Sequence, residues 1–233
     1  MLTKKSEKTK FLIGIDEAGR GALAGPVSVG CVMWKIEDWA KIKKELRDYP
    51  VGKDSKKLTP KQRDFWFARI EELGEKGLLN FARAFSSNKV IDKKGINWAI
   101  KKGIENCLCE VASGYARNDF SQGKAPEVSP QGARGLSSGT LVLLDGGLKA
   151  PAEWPNQQTI IKGDEKELII SLASIVAKVS RDREMVKLGK KYPYHHFHQH
   201  KGYGTKLHYD KIAEFGTLII HRETYLKNLH KKP

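Results

Sequence analysis

Acidic side chains follow three short apolar runs of this sequence. Asp16 and Glu17 end Phe-Leu-Ile-Gly-Ile, Asp145 follows Leu-Val-Leu-Leu, and Asp164 lies just beyond Thr-Ile-Ile-Lys. Ligands of open α/β sheets gather at the carboxyl ends of strands, so these acids could meet at one edge of a sheet. Carboxylates held so close together repel each other, and divalent cations relieve the repulsion. Oxygen-only ligands favour Mg²⁺ or Mn²⁺, and two such ions can activate water and stabilise a leaving oxygen at a phosphodiester.

Each acid, taken singly, also fits an ordinary structural role. Asp164 could cap a helix that starts at Glu165, and Asp145-Gly146-Gly147 is a common turn sequence. The joint placement of the acids after buried strands favours a shared site. Both interpretations stay open on residue type and spacing alone.

The apolar runs that precede the acids predict the strands that would position them. Residues 11–16 and 27–34 form β-branched runs joined by a compact link, which indicates two neighbouring antiparallel strands. Further strands are predicted at 78–85, 140–145 and 159–162.

Between the strands, helical patterns recur. Thr59-Pro60-Lys61-Gln62 is a capping box that should open a helix running to about Glu75. Helical spacing predicts one long helix from Asn88 to near Gly114 and another over 165–190, and Thr205 should cap a helix that ends at Phe215. Strands mixed with helices indicate an α/β layer with a mixed sheet.

Composition restricts the partners and the compartment. Lysine and arginine number 42 against 27 aspartates and glutamates, a formal net charge of +15 that suits a polyanion such as DNA or RNA. Cys31, Cys107 and Cys109 form neither a disulfide framework nor a zinc motif, so we interpret them as small apolar residues of a protein in a reducing compartment. The first apolar run is too short for a signal peptide or a membrane span, so we expect a cytoplasmic protein with no membrane partner.

Six sequence blocks, in order from residue 12 to about residue 225, resemble the motifs of the ribonuclease HII family. They are Gly-Ile-Asp-Glu-Ala-Gly-Arg-Gly at 14–21 with Gly25-Pro26 after it, Lys-Asp-Ser-Lys-Lys-Leu at 53–58, Leu-Asp-Gly at 144–146, Lys-Gly-Asp at 162–164, Ala-Ser-Ile-Val-Ala-Lys-Val-Ser-Arg-Asp at 173–182, and Lys-Gly-Tyr-Gly-Thr at 201–205 followed by His208 and His221-Arg222.

The resemblance implies a ribonuclease H-like fold, with a mixed five-stranded sheet flanked by helices and a C-terminal helical extension. Residues 1–10 would be a basic flexible N-terminus and 11–190 the catalytic domain. Residues 113–139, rich in Gly, Ser, Pro and Gln, are longer than the family's usual connection and are expected to be a flexible insertion. Residues 191–233 would complete the substrate groove.

The resemblance also implies roles for individual residues. Asp16, Glu17, Asp145 and Asp164 would be the catalytic acids and the ligands of two Mg²⁺ or Mn²⁺ ions. The other implied contacts are to substrate: Gly19, Arg20 and Gly21 as a ribose-reading loop, Tyr203 stacked on the sugar of the next nucleotide, and Lys53, Ser55 and Lys56 on phosphates. Physical reasons agree, because only the 2′-OH distinguishes RNA from DNA and glycine lets the backbone approach it.

The implied activity is that of a metal-dependent endonuclease acting as a monomer. It would hydrolyse the RNA strand of RNA/DNA hybrids and cut 5′ to ribonucleotides embedded in duplex DNA, leaving 3′-OH and 5′-phosphate ends. A ribonuclease HIII-like enzyme, a DNA-junction nuclease of the same fold and a non-enzymatic nucleic-acid-binding module are the alternatives.

Two further features have no role in the implied site. His195, His196, His198 and His200 alternate in a way that can bind zinc, but no acid or cysteine partner stands at the usual spacing, so we expect a loop near nucleic acid instead. Asp182 closes a family block at a distance from the other acids, and we expect it to have a structural role.

Overall fold

The computed structural model describes residues 9–50, 57–117 and 136–227. Residues 1–8 of the expected N-terminal segment, most of the expected insertion and the predicted phosphate contacts Lys53, Ser55 and Lys56 lie outside the described residues. The sheet has five strands in the order β3-β2-β1-β4-β5. Their bounds are Phe11–Ala18 (β1), Val27–Lys35 (β2), Asn80–Ser86 (β3), Thr140–Asp145 (β4) and Gln157–Ile160 (β5).

The sheet is mixed, as the sequence predicts. β2 pairs antiparallel with both β1 and β3, whereas β4 pairs parallel with β1 and with β5. Because β1 and β4 are parallel neighbours, their carboxyl ends reach the same edge of the sheet.

Nine α-helices are found in the described residues. They are Trp39–Glu45 (α1), Pro60–Glu75 (α2), Asn88–Lys94 (α3), Ile96–Arg117 (α4), Gly163–Lys166 (α5), Leu168–Lys191 (α6), Phe197–His200 (α7), Lys206–Phe215 (α8) and Glu223–Leu226 (α9). The predicted capping box at Thr59 is confirmed, and so is the Thr205 cap, which accepts a hydrogen bond from the His208 amide.

Three helical predictions need correction. The single helix expected from Asn88 is two helices, because Gly95 takes a φ of 87° and ends α3. The long helix then runs on to Arg117, so residues 113–117 are helical and do not belong to a flexible insertion. The helix expected from Glu165 is also split, because Glu167 is extended between α5 and α6.

Side chains alternate between two apolar cores, one on each face of the sheet. Ile13 and Ile15 of β1 pack with α4, whereas Leu12 packs with α2 and α6. The cysteines fit the apolar interpretation: Cys31 and Cys107 are buried in the α4 core, and all three cysteines are free thiols. No helix within the described ranges is both long and apolar enough to traverse a bilayer.

Two glycines let α6 lie directly on the sheet. A Cβ on Gly14 would come within 2.4 Å of the Ile169 carbonyl oxygen, and a Cβ on Gly30 within 2.3 Å of the Ala173 carbonyl oxygen. Since real Cβ atoms do not approach backbone that closely, any larger residue would push the helix away from β1 and β2.

We therefore expect Gly30→Ala to destabilise the fold by about 1–3 kcal/mol, the usual cost of overpacking a core. Gly147→Ala is the matched control, because a Cβ there would meet nothing within 4 Å. Urea denaturation of both variants measures the difference. Equal stability of the two variants would contradict the close helix–sheet packing.

Candidate active site

The carboxylates of Asp16 and Asp145 stand at the same end of neighbouring parallel strands. The registered pair Ile15–Leu144 immediately precedes them. Both side chains continue the face of the sheet that carries Leu12 and Leu143, which is the face covered by α6. The expected meeting of acids at a strand edge is therefore found for these two strands.

Asp16 is a buried carboxylate, with 2% of its surface exposed. Its Oδ1 accepts a hydrogen bond from the Glu17 amide at 2.7 Å, while its Oδ2 has no hydrogen-bond partner among the described residues. Burial raises the pKa of the Asp16 carboxyl well above its usual range, and the charges of Glu17 and Asp145 raise this pKa further. A hydrogen bond with Ser174 of α6 opposes that shift. The site thus holds negative charge that its own residues only partly balance.

The turn at Lys162–Gly163, just before Asp164, is hydrogen-bonded to Asp145. The Gly163 amide donates to Asp145 Oδ1 at 2.7 Å, and Lys162 adopts the left-handed region with a φ of 55°. A Cβ on Gly163 would lie 2.6 Å from the Ile170 Cδ1, so a larger residue here would have to displace the end of that side chain. Asp164 itself is buried, with 3% exposed, on the first turn of α5.

The four predicted acids are only partly brought together. Asp16 interacts electrostatically with Glu17 and Asp145. Asp164 is adjacent to the Gly163 amide that binds Asp145. Burial raises the pKa of Tyr49, and the charge of Asp164 raises it further. Across residues 9–50, 57–117 and 136–227, no cluster of three or more His, Cys, Asp or Glu side chains is arranged to hold a metal ion. The predicted cage is therefore not formed in this side-chain arrangement.

The chemistry of the donors nevertheless fits a hard divalent cation. All four acids offer oxygen only, which is the ligand type of Mg²⁺ and Mn²⁺. The unpartnered Oδ2 of buried Asp16 is a lone acceptor that a cation would satisfy. Residues that would hold such ions are Asp16, Glu17, Asp145 and Asp164.

The segment Gly19–Gly21 forms one wall of a groove beside these acids. Gly19 has a φ of 90°, and a Cβ on it would meet the Arg181 Nε at 2.0 Å. Arg20 extends across the groove mouth, where its Nε donates to Glu17 Oε1 at 2.7 Å and its Nη1 donates to the Asn97 Oδ1 at 3.0 Å. Arg20 thereby links the loop to an acid of the site.

Tyr203 forms the opposite wall of the same groove. Its half-buried ring lies 5.5 Å from Lys178 Nζ and 5.0 Å from Arg181 Cζ, both on α6. The groove brings together predicted and unpredicted residues, namely Glu17, Ala18, Gly19, Arg20, Gly21, Ser174, Lys178 and Tyr203. A second groove continues on the far side of Glu17 and Arg20, lined by Asn97, Lys101, Asp145 and Lys149 among others.

Two fully buried arginines hold the glycine loop in place. Arg181 donates to the carbonyls of Ala24, Pro26 and Lys201 at 2.8–3.2 Å. Arg222 donates to the carbonyls of Gly19, Arg20 and Gly25 at 2.8–3.1 Å. Burial and the nearby charge of Arg181 lower the pKa of Arg222 to about 10, so Arg222 still carries its proton at neutral pH. Backbone carbonyls, rather than acids, satisfy these buried guanidinium groups.

The alternating histidines differ from the expectation of a loop near nucleic acid. His195 and His200 are buried, and their Nε2 atoms contact the carbonyl oxygens of Gly216 and His195 at 3.0 and 2.7 Å. His198 is exposed and His196 is partly buried. Half of the motif therefore belongs to the interior of the C-terminal part.

Asp182 contacts the groove only through other side chains. It pairs with Lys178 Nζ at 2.6 Å and lies 3.8 Å from a nitrogen of Arg63. This geometry fits the structural role expected from the sequence, in which Asp182 orients a lysine of the groove wall.

Sequence reasoning missed several residues of the site. Ser174, Lys178, Arg181 and Arg222 stand inside the blocks that resemble the family, but residue type alone gave no sign of what they contact. Tyr225, whose hydroxyl donates to the Arg20 carbonyl at 3.0 Å, lies outside those blocks. Only the folded chain brings residues some 200 positions apart into contact at this loop.

A mixed five-stranded sheet flanked by helices, with acids near the carboxyl ends of β1 and β4, is a fold of the ribonuclease H class. The structure resembles the crystal structure of ribonuclease H2 from Pyrococcus horikoshii OT3, with a TM-score of 0.62 and 24% identity over 95% of this chain and 100% of that chain. It also resembles Bst-RNase HIII in complex with Mn²⁺, with a TM-score of 0.57 and 16% identity over 94% of this chain and 66% of that chain.

Sequence comparison identifies the family within that class. The ribonuclease HII family model matches residues 13–119 and 142–229. Ribonuclease HII from Caldicellulosiruptor bescii is 39% identical over 228 residues, which cover 96% of this chain and 90% of the relative. The chain belongs to the ribonuclease HII family.

The buried arginines give a testable consequence. Arg222→Met should destabilise the fold by about 3 kcal/mol or more, because three buried carbonyls lose their donor and each costs roughly 1–3 kcal/mol. Arg47→Met is the control, since Arg47 is exposed and pairs with the exposed Asp48 at 3.5 Å, a contact worth under about 1 kcal/mol. Denaturant titration reports both values. A loss no larger than that of the control would contradict the assigned role of Arg222.

Proposed function

We propose that this ribonuclease H endonuclease is metal-dependent and cuts on the 5′ side of ribonucleotides, in RNA/DNA hybrids and at single ribonucleotides within duplex DNA. The products would carry 3′-OH and 5′-phosphate ends. The observation that carries the proposal is the buried Asp16 carboxylate, whose Oδ2 has no hydrogen-bond partner among the described residues, next to the groove between Gly19–Gly21 and Tyr203.

Asp16, Glu17, Asp145 and Asp164 would hold two Mg²⁺ or Mn²⁺ ions. The family relationship and the Mn²⁺ complex of the neighbouring RNase HIII support divalent metal use. When bound, such ions activate water and stabilise the leaving oxygen of a phosphodiester. Binding would also neutralise the charge of Asp16, Glu17 and Asp145, which the fold otherwise leaves in mutual repulsion.

The substrate would lie with its ribose against Gly19–Gly21. Here the absence of side chains on the glycines lets backbone groups approach the 2′-OH, which both donates and accepts hydrogen bonds. Tyr203 would stack on the sugar of the following nucleotide, where a 2′-OH would crowd its ring, so the pair would select an RNA-to-DNA junction. Lys178, at 5.5 Å from that ring, is placed to contact a phosphate of the same strand.

The remaining parts of the proposal concern the whole protein. Lys53, Ser55 and Lys56 would contact phosphates, and the C-terminal residues from 191 onward would complete the groove begun by the catalytic domain over 11–190. The position of Tyr203, a residue of the C-terminal part that lines the groove, supports this proposal. The enzyme would act as a monomer in the cytoplasm. The HIII alternative has weaker support, because the HIII structure is 16% identical and shares only the fold.

The test is Asp16→Asn, assayed on a DNA duplex with one ribonucleotide in Mg²⁺ and in Mn²⁺. We expect loss of cleavage with binding retained, because an amide cannot supply the anionic oxygen that a cation needs. Wild-type cleavage should map to the phosphate 5′ to the ribonucleotide. The control is Asp210→Asn, on the exposed face of α8, which should cleave normally.

A measurement of thermal stability, which does not depend on catalysis, accompanies this test. Burial of an ionised Asp16 costs stability, so the variant should melt at or above the wild-type temperature when no divalent cation is present. Added Mg²⁺ should raise the melting temperature of wild type but not of Asp16→Asn, since only wild type would gain ligand-linked stability. Full cleavage by Asp16→Asn would refute the proposed mechanism.

A further inference from the structure

A chain of buried histidines lies directly beneath the Tyr203 wall of the groove. His200, His208 and His221 are all buried, and they surround Phe197 in the C-terminal part of the chain. The His200 and His208 rings stack at 4.1 Å with an angle of 16°. His208 Nε2 and His221 Nε2 are 3.1 Å apart, which is hydrogen-bond distance between two rings.

The partners of this pair determine where its protons are. His208 Nδ1 lies 3.0 Å from the Tyr203 carbonyl oxygen, which can only accept, so Nδ1 must carry the proton. If the ring is neutral, His208 Nε2 is then an acceptor, and His221 Nε2 must donate to it. His221 Nδ1 is left as the acceptor for the Leu218 amide, which approaches to 2.7 Å. The Leu218 carbonyl oxygen lies farther from Nδ1, at 3.2 Å, and already accepts from the His221 amide at 2.9 Å.

Both rings are neutral, so this assignment is the consistent one. Burial, together with the neighbouring histidines, lowers the pKa of His208 and of His221 to about 4. A second proton on His208 would place two N–H groups face to face across the 3.1 Å contact. The hydrogen bonds therefore all point in one direction, from the Leu218 amide through His221 and His208 to the Tyr203 carbonyl. We call this chain of hydrogen bonds the relay.

The same cluster also holds the residue before Tyr203. The Gly202 amide donates to His200 Nδ1 at 3.1 Å, and His200 Nε2 contacts the His195 carbonyl oxygen at 2.7 Å. The Gly202 carbonyl in turn accepts from the Leu23 amide at 2.8 Å. Histidines on one side of this peptide and the Gly19–Pro26 loop on the other therefore fix the width of the groove.

We propose that the hydrogen-bond relay from His221 through His208 to the Tyr203 carbonyl positions Tyr203 and thereby sets the enzyme's preference for an RNA-to-DNA junction. The inference rests on the proposed role of Tyr203 in stacking on the nucleotide after the ribonucleotide. His208 and His221 are positioning residues, because neither lines the groove. Loss of the relay should alter junction preference more than hydrolysis itself.

The paired variants His208→Asn and His208→Gln test the contributions of the two ring nitrogens separately. Asparagine can place an amide N–H near the Nδ1 position and keep the bond to the Tyr203 carbonyl. Because an amide nitrogen always carries protons, asparagine does not need His221 to fix a proton at that position. Glutamine reaches the Nε2 position instead and loses the bond to the Tyr203 carbonyl. The measured quantity is kcat/KM on a duplex with one ribonucleotide divided by kcat/KM on a uniform RNA/DNA hybrid. Tyr203→Ala provides the reference for loss of the stacking wall.

We expect His208→Gln and Tyr203→Ala to lower this ratio about tenfold, near the upper range for one lost hydrogen bond, while His208→Asn stays within about twofold of wild type. In the two His208 variants, hydrolysis of the uniform hybrid should keep its kcat. If Tyr203→Ala lowers the ratio and neither His208 variant does, the relay is overturned and the proposed function stands. If Tyr203→Ala leaves the ratio unchanged, both the relay and the proposed stacking role are overturned.

A measurement on the unaltered protein is independent of whether variants fold. Long-range ¹⁵N–¹H NMR spectra distinguish the two neutral tautomers of histidine. We expect His208 protonated at Nδ1 and His221 protonated at Nε2 at neutral pH. The reverse tautomer on either ring, or a cationic ring, would overturn the relay.

Discussion

The direct contact of helix α6 with the backbone of β1 and β2 is the constraint on which the site depends. Gly14 and Gly30 permit this contact, and Gly30 is the cross-strand partner of Asp16. The helix therefore passes close over the acid and brings Ser174 to its carboxylate. One turn further along, Lys178 lines the groove. Two turns along, the buried Arg181 donates to the carbonyls of Ala24 and Pro26. A helix held farther from the sheet would leave Asp16 in water and separate it from the groove.

Burial has opposite consequences for the acids and for the arginines. Asp16 is buried, which raises its pKa, and its Oδ2 has no hydrogen-bond partner among the described residues. Arg181 and Arg222 are buried with backbone carbonyls as partners, so their positive charge is satisfied within the fold. The first arrangement leaves a carboxylate oxygen available to a ligand, whereas the second holds the backbone of the glycine loop in place.

Much of this organisation can be predicted from local sequence. The strands that precede Asp16 and Asp145 are continuous apolar runs, and the helix caps at Thr59 and Thr205 follow from side chains within three residues. The break at Gly95 was missed because the apolar spacing beyond it suggested one helix over the whole stretch. Arg181 and Arg222 could not be assigned, because their acceptors are 20 to 203 residues away in the chain.

The histidines show why residue type alone misleads in this protein. An alternating run suggests an exposed, ligand-binding segment, yet the apolar side chain of Phe197 lies within the run and requires burial. Packing around Phe197 carries His195 and His200 inward and places them beside His208 and His221, which come from separate segments. Once buried, each ring must find a donor and an acceptor, and the loop that carries Tyr203 supplies several of them. The interior of the C-terminal part is therefore coupled to the wall of the groove through hydrogen bonds, although no histidine of the described residues lines the groove itself.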